Sequence, residues 1–222
     1  MREIQYEDIA RAVADLAVEA CYRLPADMKA AMCKAREDEP SPVGRNILDQ
    51  LLENADIAAK GEVPLCQDTG LAVVFAEVGQ DAHIVGGAFE DAVNEGVRRG
   101  YRDGYLRKSV VKDPLRRVNT GDNTPAMLYI ELVPGDKIEL TVAPKGFGSE
   151  NMSRIAMLKP SDGIEGVKNF ILKTAEEAGP NPCPPIVIGV GIGGTFDKAA
   201  LLAKKALMRS TDERNRTSCC WI

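Results

Sequence analysis

A chain of 222 residues, 45% hydrophobic and 27% charged, is long enough for one large or two small domains with a real core. Its net charge of −5 lacks the broad basic field of a general nucleic-acid binder, and no apolar run approaches the roughly 20 residues needed to cross a bilayer. Met1 to Asp8 has neither the basic start nor the apolar centre of a signal peptide, so neither nucleic acid nor membrane is expected as a partner and the expected address is cytoplasmic.

Apolar residues at helical spacing (Ile9, Val13, Leu16, Ala17, Ala20) predict a helix over 4–21, broken by Arg23-Leu24-Pro25. A shorter helix is expected over 26–37. Ser41-Pro42 then supplies a capping hydroxyl followed by proline at the first helical position, and Gly61 closes this third helix. The three read as a scaffold layer.

Next comes Pro64-Leu65-Cys66-Gln67-Asp68-Thr69-Gly70, a loop entering the apolar strand Leu71 to Val78. It sets a thiol, an amide and a carboxylate on consecutive residues. Either Cys66 is a thiolate ligand beside an acid, or it is a small buried hydrophobe beside an exposed carboxylate. The six cysteines, at 21, 33, 66, 183, 219 and 220, match neither paired zinc spacings nor a bacterial ferredoxin run. His83, the sole histidine, lies in a Gly-rich turn context and reads as an exposed loop residue, so a metal would need sulfur or oxygen ligands.

Phe89, Val93 and Val97 define an amphipathic helix over 88–103. A basic stretch follows: Arg98, Arg99, Arg102, Arg107, Lys108, Lys112, Arg116 and Arg117. It is either a solvated face or a wall that grips anions. Residues 119–125 form a polar loop dense in turn formers. Strands over 127–133 and 137–142, joined by Pro134-Gly135-Asp136, read as a β-hairpin. The run from Ala143 to Ser153 is either a tight turn or a ligand approach: Gly146 and Gly148 admit a close backbone, Lys145 adds charge, and a following helix is expected to present its amides. A helix over 164–178 ends at Gly179. Prolines then hold Cys183 in a stiff extended loop before a buried strand, 186–190.

The run Gly189-Val-Gly-Ile-Gly-Gly194 has the spacing of a dinucleotide fingerprint, but no alternating strand–helix series surrounds it. Tight packing on the helix expected over 196–207 explains it as well. After Leu207 all periodicity is lost, so the chain reads as one domain, 1–207, with an aberrant or disordered tail, 208–222, that contains Cys219, Cys220 and Trp221.

Three stretches in this order resemble the iron–sulfur class I fumarases and L-tartrate dehydratases, more closely their separate alpha subunit: Pro64 to Gly70, Lys145 to Asn151, and Asn181 to Phe196. The resemblance covers about residues 4–207. It implies a four-iron–four-sulfur (4Fe-4S) cluster with Cys66 and Cys183 as two of three cysteine ligands. It further implies substrate contacts from Gln67 and Asp68, with Asp68 near the proton transfer. Arg107 matches a carboxylate-binding arginine, and Lys145, Gly146 and Gly148 would line the same site. The third cysteine and a histidine would lie in a segment expected after Leu207, so a C-terminally truncated alpha subunit is expected. The implied activity is hydration or dehydration of a C4 dicarboxylate, completed by a beta subunit in a heterodimer or heterotetramer. An inactive alpha-like domain that only binds its beta partner is the alternative. The expected fold is α/β (mixed α+β), a helical N-terminal layer on a central mixed sheet with covering helices.

Overall fold

The computed structural model describes residues 1–213 and divides at Gly146 into two compact units. In the first unit a short strand β1 (Arg2–Gln5) leads into α1 (Tyr6–Tyr22), followed by α2 (Ala26–Asp38) and α3 (Pro42–Gly61). The sequence reading missed β1, whose four residues pair in parallel with β3 (Ala82–Val85). His83 therefore stands on a strand rather than in a loop, although it is exposed as expected. The Ser41 hydroxyl caps α3 by accepting from the Gly44 N–H at 3.4 Å. The left-handed residue that ends this helix is Glu62, one position beyond the expected Gly61.

The central sheet is mixed, in the order β4-β2-β5. Strand β2 (Leu71–Gly79) pairs in parallel with β4 (Met127–Val133) and antiparallel with β5 (Ile138–Lys145). The hairpin expected from Pro134-Gly135-Asp136 is thus not formed, because β2 lies between its two strands. The turn instead wraps the end of β2. Gly79 and Asp81 donate their N–H groups to the carbonyls of Lys137 and Gly135, each at 2.8 Å, and Gln80 donates to Val133 at 2.9 Å. The turn residues fixed a change of direction without fixing which strands pair.

The core of this unit joins Ile9, Val13, Ala17 and Cys21 of α1 to Ala72 and Val74 of β2 and to Ala92, Val93, Val97 and Tyr101 of α4 (Phe89–Asp103). Helix α4 docks on α1 along Gly96, Gly100 and Gly104, one turn apart, where there is no room for side chains. A Cβ at Gly96 would lie 2.5 Å from the Ala10 carbonyl oxygen, and one at Gly100 would lie 2.9 Å from that of Ala14. Of the amino-terminal helices, α1 supplies the layer facing the main core; α2 buries no residue and pairs with α3.

The second unit begins at Phe147 and contains α5 (Phe147–Glu150), α6 (Gly163–Ala178) and α7 (Phe196–Ala206). The helix expected after the Lys145 loop is only the single turn α5. The expected buried strand 186–190 is irregular and open to solvent: Val187 is 53% exposed and Ile188 50%. An apolar run codes for burial, but among the described residues no strand pairs with it to take its backbone groups. The glycine run that follows packs on α7 as the simpler reading held. Cβ atoms at Gly189 and Gly191 would each fall 2.1 Å from a helix carbonyl, those of Ala203 and Ala199. The tail reading falls largely on residues 214–222, which lie outside the described residues.

Candidate functional site

The loop between α3 and β2 is held along its backbone and open at its centre. At its start the Asn54 amide donates to the Leu65 carbonyl at 2.9 Å, and the Leu65 N–H donates to the Cys21 carbonyl at 2.8 Å. At its end the Tyr101 phenol donates to the Thr69 carbonyl at 2.8 Å, and the Thr69 hydroxyl donates to the Arg107 carbonyl at 3.0 Å. The Asn123 amide donates to the Gly70 carbonyl at 3.1 Å. Between these anchors Cys66 and Gln67 are exposed and Asp68 is half-buried.

Gly70 fixes the exit. Its φ of +56° lies in the left-handed region, and a Cβ there would sit 1.9 Å from the Lys145 carbonyl oxygen. Glycine thereby brings the end of β5 against the loop, in register with Leu71 opposite Lys145. Gly146 then comes so close to Asp68 that a Cβ on it would lie 2.9 Å from Oδ2. The other carboxylate oxygen, Oδ1, accepts the Gly70 N–H at 3.1 Å.

The thiol of Cys66 donates to Gln67 Oε1 at 3.4 Å, and its sulfur accepts the Asp68 N–H at 3.4 Å. An exposed sulfur on a tied backbone is accessible to a metal, which cysteine binds through its sulfur. Cys21 is its opposite: burial, with Cys66 adding to it, pushes that thiol up to about 12, so it stays protonated in the core. The alternative that made Cys66 a buried hydrophobe does not hold; Cys21 plays that part.

Of the predicted residues, Cys66, Gln67, Asp68, Lys145, Gly146 and the Arg107 backbone come together within the first unit. The Lys145 ammonium donates to the Gly146 carbonyl at 3.3 Å. Gly148 and Cys183 belong to the second unit. There a Cβ on Gly148 would lie 2.9 Å from the Asn181 carbonyl oxygen. Cys183 is exposed, but in a turn closed by its N–H to the Pro180 carbonyl at 3.0 Å, with φ +57°, rather than in an extended loop. Among the described residues no three Cys, His, Asp or Glu gather into a metal-binding group.

The basic stretch divides in two. Arg98 pairs with Glu95 and Asp122, Arg99 with Glu95 and Glu7, and Arg102 with Asp103. That half is a neutralised face. Among the described residues Arg107, Lys108, Lys112, Arg116 and Arg117 form no ion pair, so that half retains its positive charge.

Sequence reasoning missed three supporting residues: Thr69, Tyr101 and Asn123. Tyr101 follows Phe89, Val93 and Val97 at helical spacing with nothing local to mark its phenol, and Asn123 is one of several turn formers in 119–125. Asn123 is 0% exposed, and its Oδ1 accepts the N–H groups of Ser109 at 2.7 Å and Val110 at 3.0 Å. Its φ of +63° is a conformation asparagine tolerates better than most residues, so the local signal is the residue type within a turn-rich loop.

Comparison with known proteins gives this arrangement its class. The sequence model of the fumarate hydratase (fumerase) family matches residues 10–220. The chain is 46% identical over 217 residues to a putative L(+)-tartrate dehydratase subunit alpha of Methanocaldococcus jannaschii, covering 94% of this chain and 75% of that protein. It is 30% identical over 207 residues to the L(+)-tartrate dehydratase subunit alpha of Escherichia coli, covering 91% of this chain and 68% of the relative. With the anaerobic class I fumarate hydratase of Escherichia coli it shares 35% identity over 188 residues, covering 82% of this chain and a third (33%) of that enzyme. These relatives are hydro-lyases. The chain belongs to the fumarate hydratase family.

Proposed function

We propose that the chain is the alpha-type subunit of a cytoplasmic hydro-lyase that adds or removes water at a C4 dicarboxylate, fumarate/malate or tartrate/oxaloacetate. A beta subunit completes its site. The observation that carries this reading is the Cys66-Gln67-Asp68 loop, whose thiol and amide are exposed and whose carboxylate is half-buried, while the backbone on both sides is tied down. Relatives named as tartrate dehydratase alpha subunits support the subunit role and make L-tartrate the first substrate to assay.

Cys66 and Cys183, both exposed, are the thiols that would hold a four-iron–four-sulfur cluster. Such a group, when bound with one iron open, supplies a Lewis acid for the hydroxyl that leaves or arrives. Ionising Cys66 removes the donor that now occupies Gln67 Oε1, which frees that oxygen for a substrate hydroxyl. Asp68 holds one carboxylate oxygen on the Gly70 N–H and keeps the other beside Gly146, free of any Cβ, to carry a proton. Arg107 and Lys145 supply positive charge for the two carboxylates of the substrate, arginine by a bidentate grip. Gly146 keeps a Cβ away from Asp68 Oδ2, and Gly148 keeps one away from the Asn181 carbonyl.

The test is turnover of L-tartrate and fumarate by the complex with a beta-type partner, reconstituted without oxygen. In Asp68→Asn turnover falls by about a hundredfold or more while iron and sulfide content stay as in the wild type. Unchanged turnover removes Asp68 from the mechanism. A complex that assembles yet turns over neither acid leaves a non-catalytic, partner-binding domain.

A further inference from the structure

We infer that Asn123 is a positioning residue: one buried amide holds the Asp68 loop and the Arg107 segment at a fixed separation. The inference rests on reading Asp68 and Arg107 as substrate-facing, and it adds a group that touches neither substrate nor metal.

The geometry is a short relay. Asp68 Oδ1 accepts from the Gly70 N–H, and the carbonyl of the same residue accepts from Asn123 Nδ2. On its other side Asn123 Oδ1 takes both the Ser109 and Val110 N–H groups. Those residues follow Arg107 directly, and the Arg107 carbonyl is itself tied to the Thr69 hydroxyl. Two side chains, Asn123 and Thr69, thus link one stretch of three residues (68–70) to one of four (107–110) through four hydrogen bonds.

Asparagine suits this post because it offers an acceptor and a donor on one rigid plane. Aspartate would keep the two acceptor bonds but set an oxygen against the Gly70 carbonyl. At a position with no solvent exposure, water cannot relieve that repulsion. The consequence reaches Asp68 through Gly70, so the effect belongs on the proton-transfer step. Thr69→Val, equal in size, cuts only the tie to Arg107, so its effect belongs on substrate binding.

The experiment compares wild type, Asn123→Asp and Thr69→Val in the complex with the beta-type partner. It measures kcat and KM for the dicarboxylate, thermal midpoint, and hydrogen exchange over 66–70 and 107–111. Asn123→Asp is expected to lower kcat about tenfold to a hundredfold with KM little changed, and to speed exchange at 66–70. Thr69→Val is expected to raise KM with kcat retained, and to speed exchange at 107–111. A lowered midpoint with both kinetic constants unchanged would make Asn123 structural only and overturn the inference. If the wild-type complex shows no turnover, the functional reading fails instead. Exchange then decides separately: faster exchange confined to these two segments supports the clamp, and unchanged protection refutes it.

Discussion

The phenol of Tyr101 donates its proton to the carbonyl of Thr69 across 2.8 Å, from a side chain that is 1% exposed. One end of this tyrosine belongs to the core between α1, α4 and β2, and the other to the candidate-site loop. Burial pushes its pKa up, with Cys21 and Asp68 contributing, so it remains a donor at any pH the protein meets.

Tyr101→Phe keeps the ring in the core but leaves the Thr69 carbonyl without this donor. The expected loss of stability is about 1–3 kcal/mol, read as a lower urea midpoint at unchanged slope. Because Thr69 also holds Arg107, activity should fall more than stability alone explains. A variant as stable as the wild type would mean that water takes over the phenol's place.

The glycine stripe on α4 gives a prediction opposite in sign to helix propensity. In an open helix Gly→Ala stabilises by about 1 kcal/mol. At Gly96 the added Cβ would meet the Ala10 carbonyl oxygen at 2.5 Å and Val13 Cβ at 2.6 Å. Gly96→Ala should therefore destabilise by about 1–3 kcal/mol as overpacking does. Gly61→Ala, whose Cβ would meet nothing closer than 3.7 Å, should be neutral or stabilising. Thermal melts of the two variants decide the matter.

Asp122 provides a pH test. Burial works against its charge, but the hydroxyl and N–H of Thr124 and the guanidinium of Arg98 outweigh it and hold the pKa at about 2, below the usual 3.8. A lowered carboxylate contributes stability that is fully present above 3.8 and is lost as pH falls through about 2. Asp122→Asn removes that contribution at neutral pH. The gap in urea midpoint between wild type and variant should hold from pH 7 down to 4 and narrow below that. A constant gap would mean that the Asp122 bonds do not depend on its charge.

Local signals in the sequence were enough for most helices and for the loop that bears Cys66. The Ser41-Pro42 start and the apolar spacing of α1 and α4 depend on neighbours a few residues away, and they were legible. Pairing is a long-range choice. Nothing within Pro134-Gly135-Asp136 reveals that β2, some fifty residues earlier, lies between the two strands it joins. The apolar run Ile186 to Val190 likewise predicts burial but cannot name what would bury it. In the candidate site, the exposed Cys66 and Gln67 and the half-buried Asp68 stand out by type and spacing. The residues that hold them do not, because Asn123 acts on Gly70 from 53 positions away.

The cysteines differ in ways that test the ligand role proposed for Cys66. Cys66 is exposed on a loop fixed at both ends, Cys33 is exposed on α2, and Cys21 is buried at 6% exposure. If exposure alone decided cluster binding, Cys33→Ala and Cys66→Ala would lower iron equally. If thiol content alone decided it, Cys21→Ala would do the same. A ligand also needs a setting where other functional groups converge, and in the first unit Cys66 is the exposed thiol that lies beside Gln67 and Asp68 on a tied loop. Iron and acid-labile sulfide, measured after anaerobic reconstitution of the complex, should fall to less than about half in Cys66→Ala. They should hold in Cys33→Ala and in Cys21→Ala, whose small cavity lowers the thermal midpoint without touching the metal. Equal iron in the wild type and in Cys66→Ala would remove this residue from the ligand set, and with it the reason for reading the loop as the centre of the site.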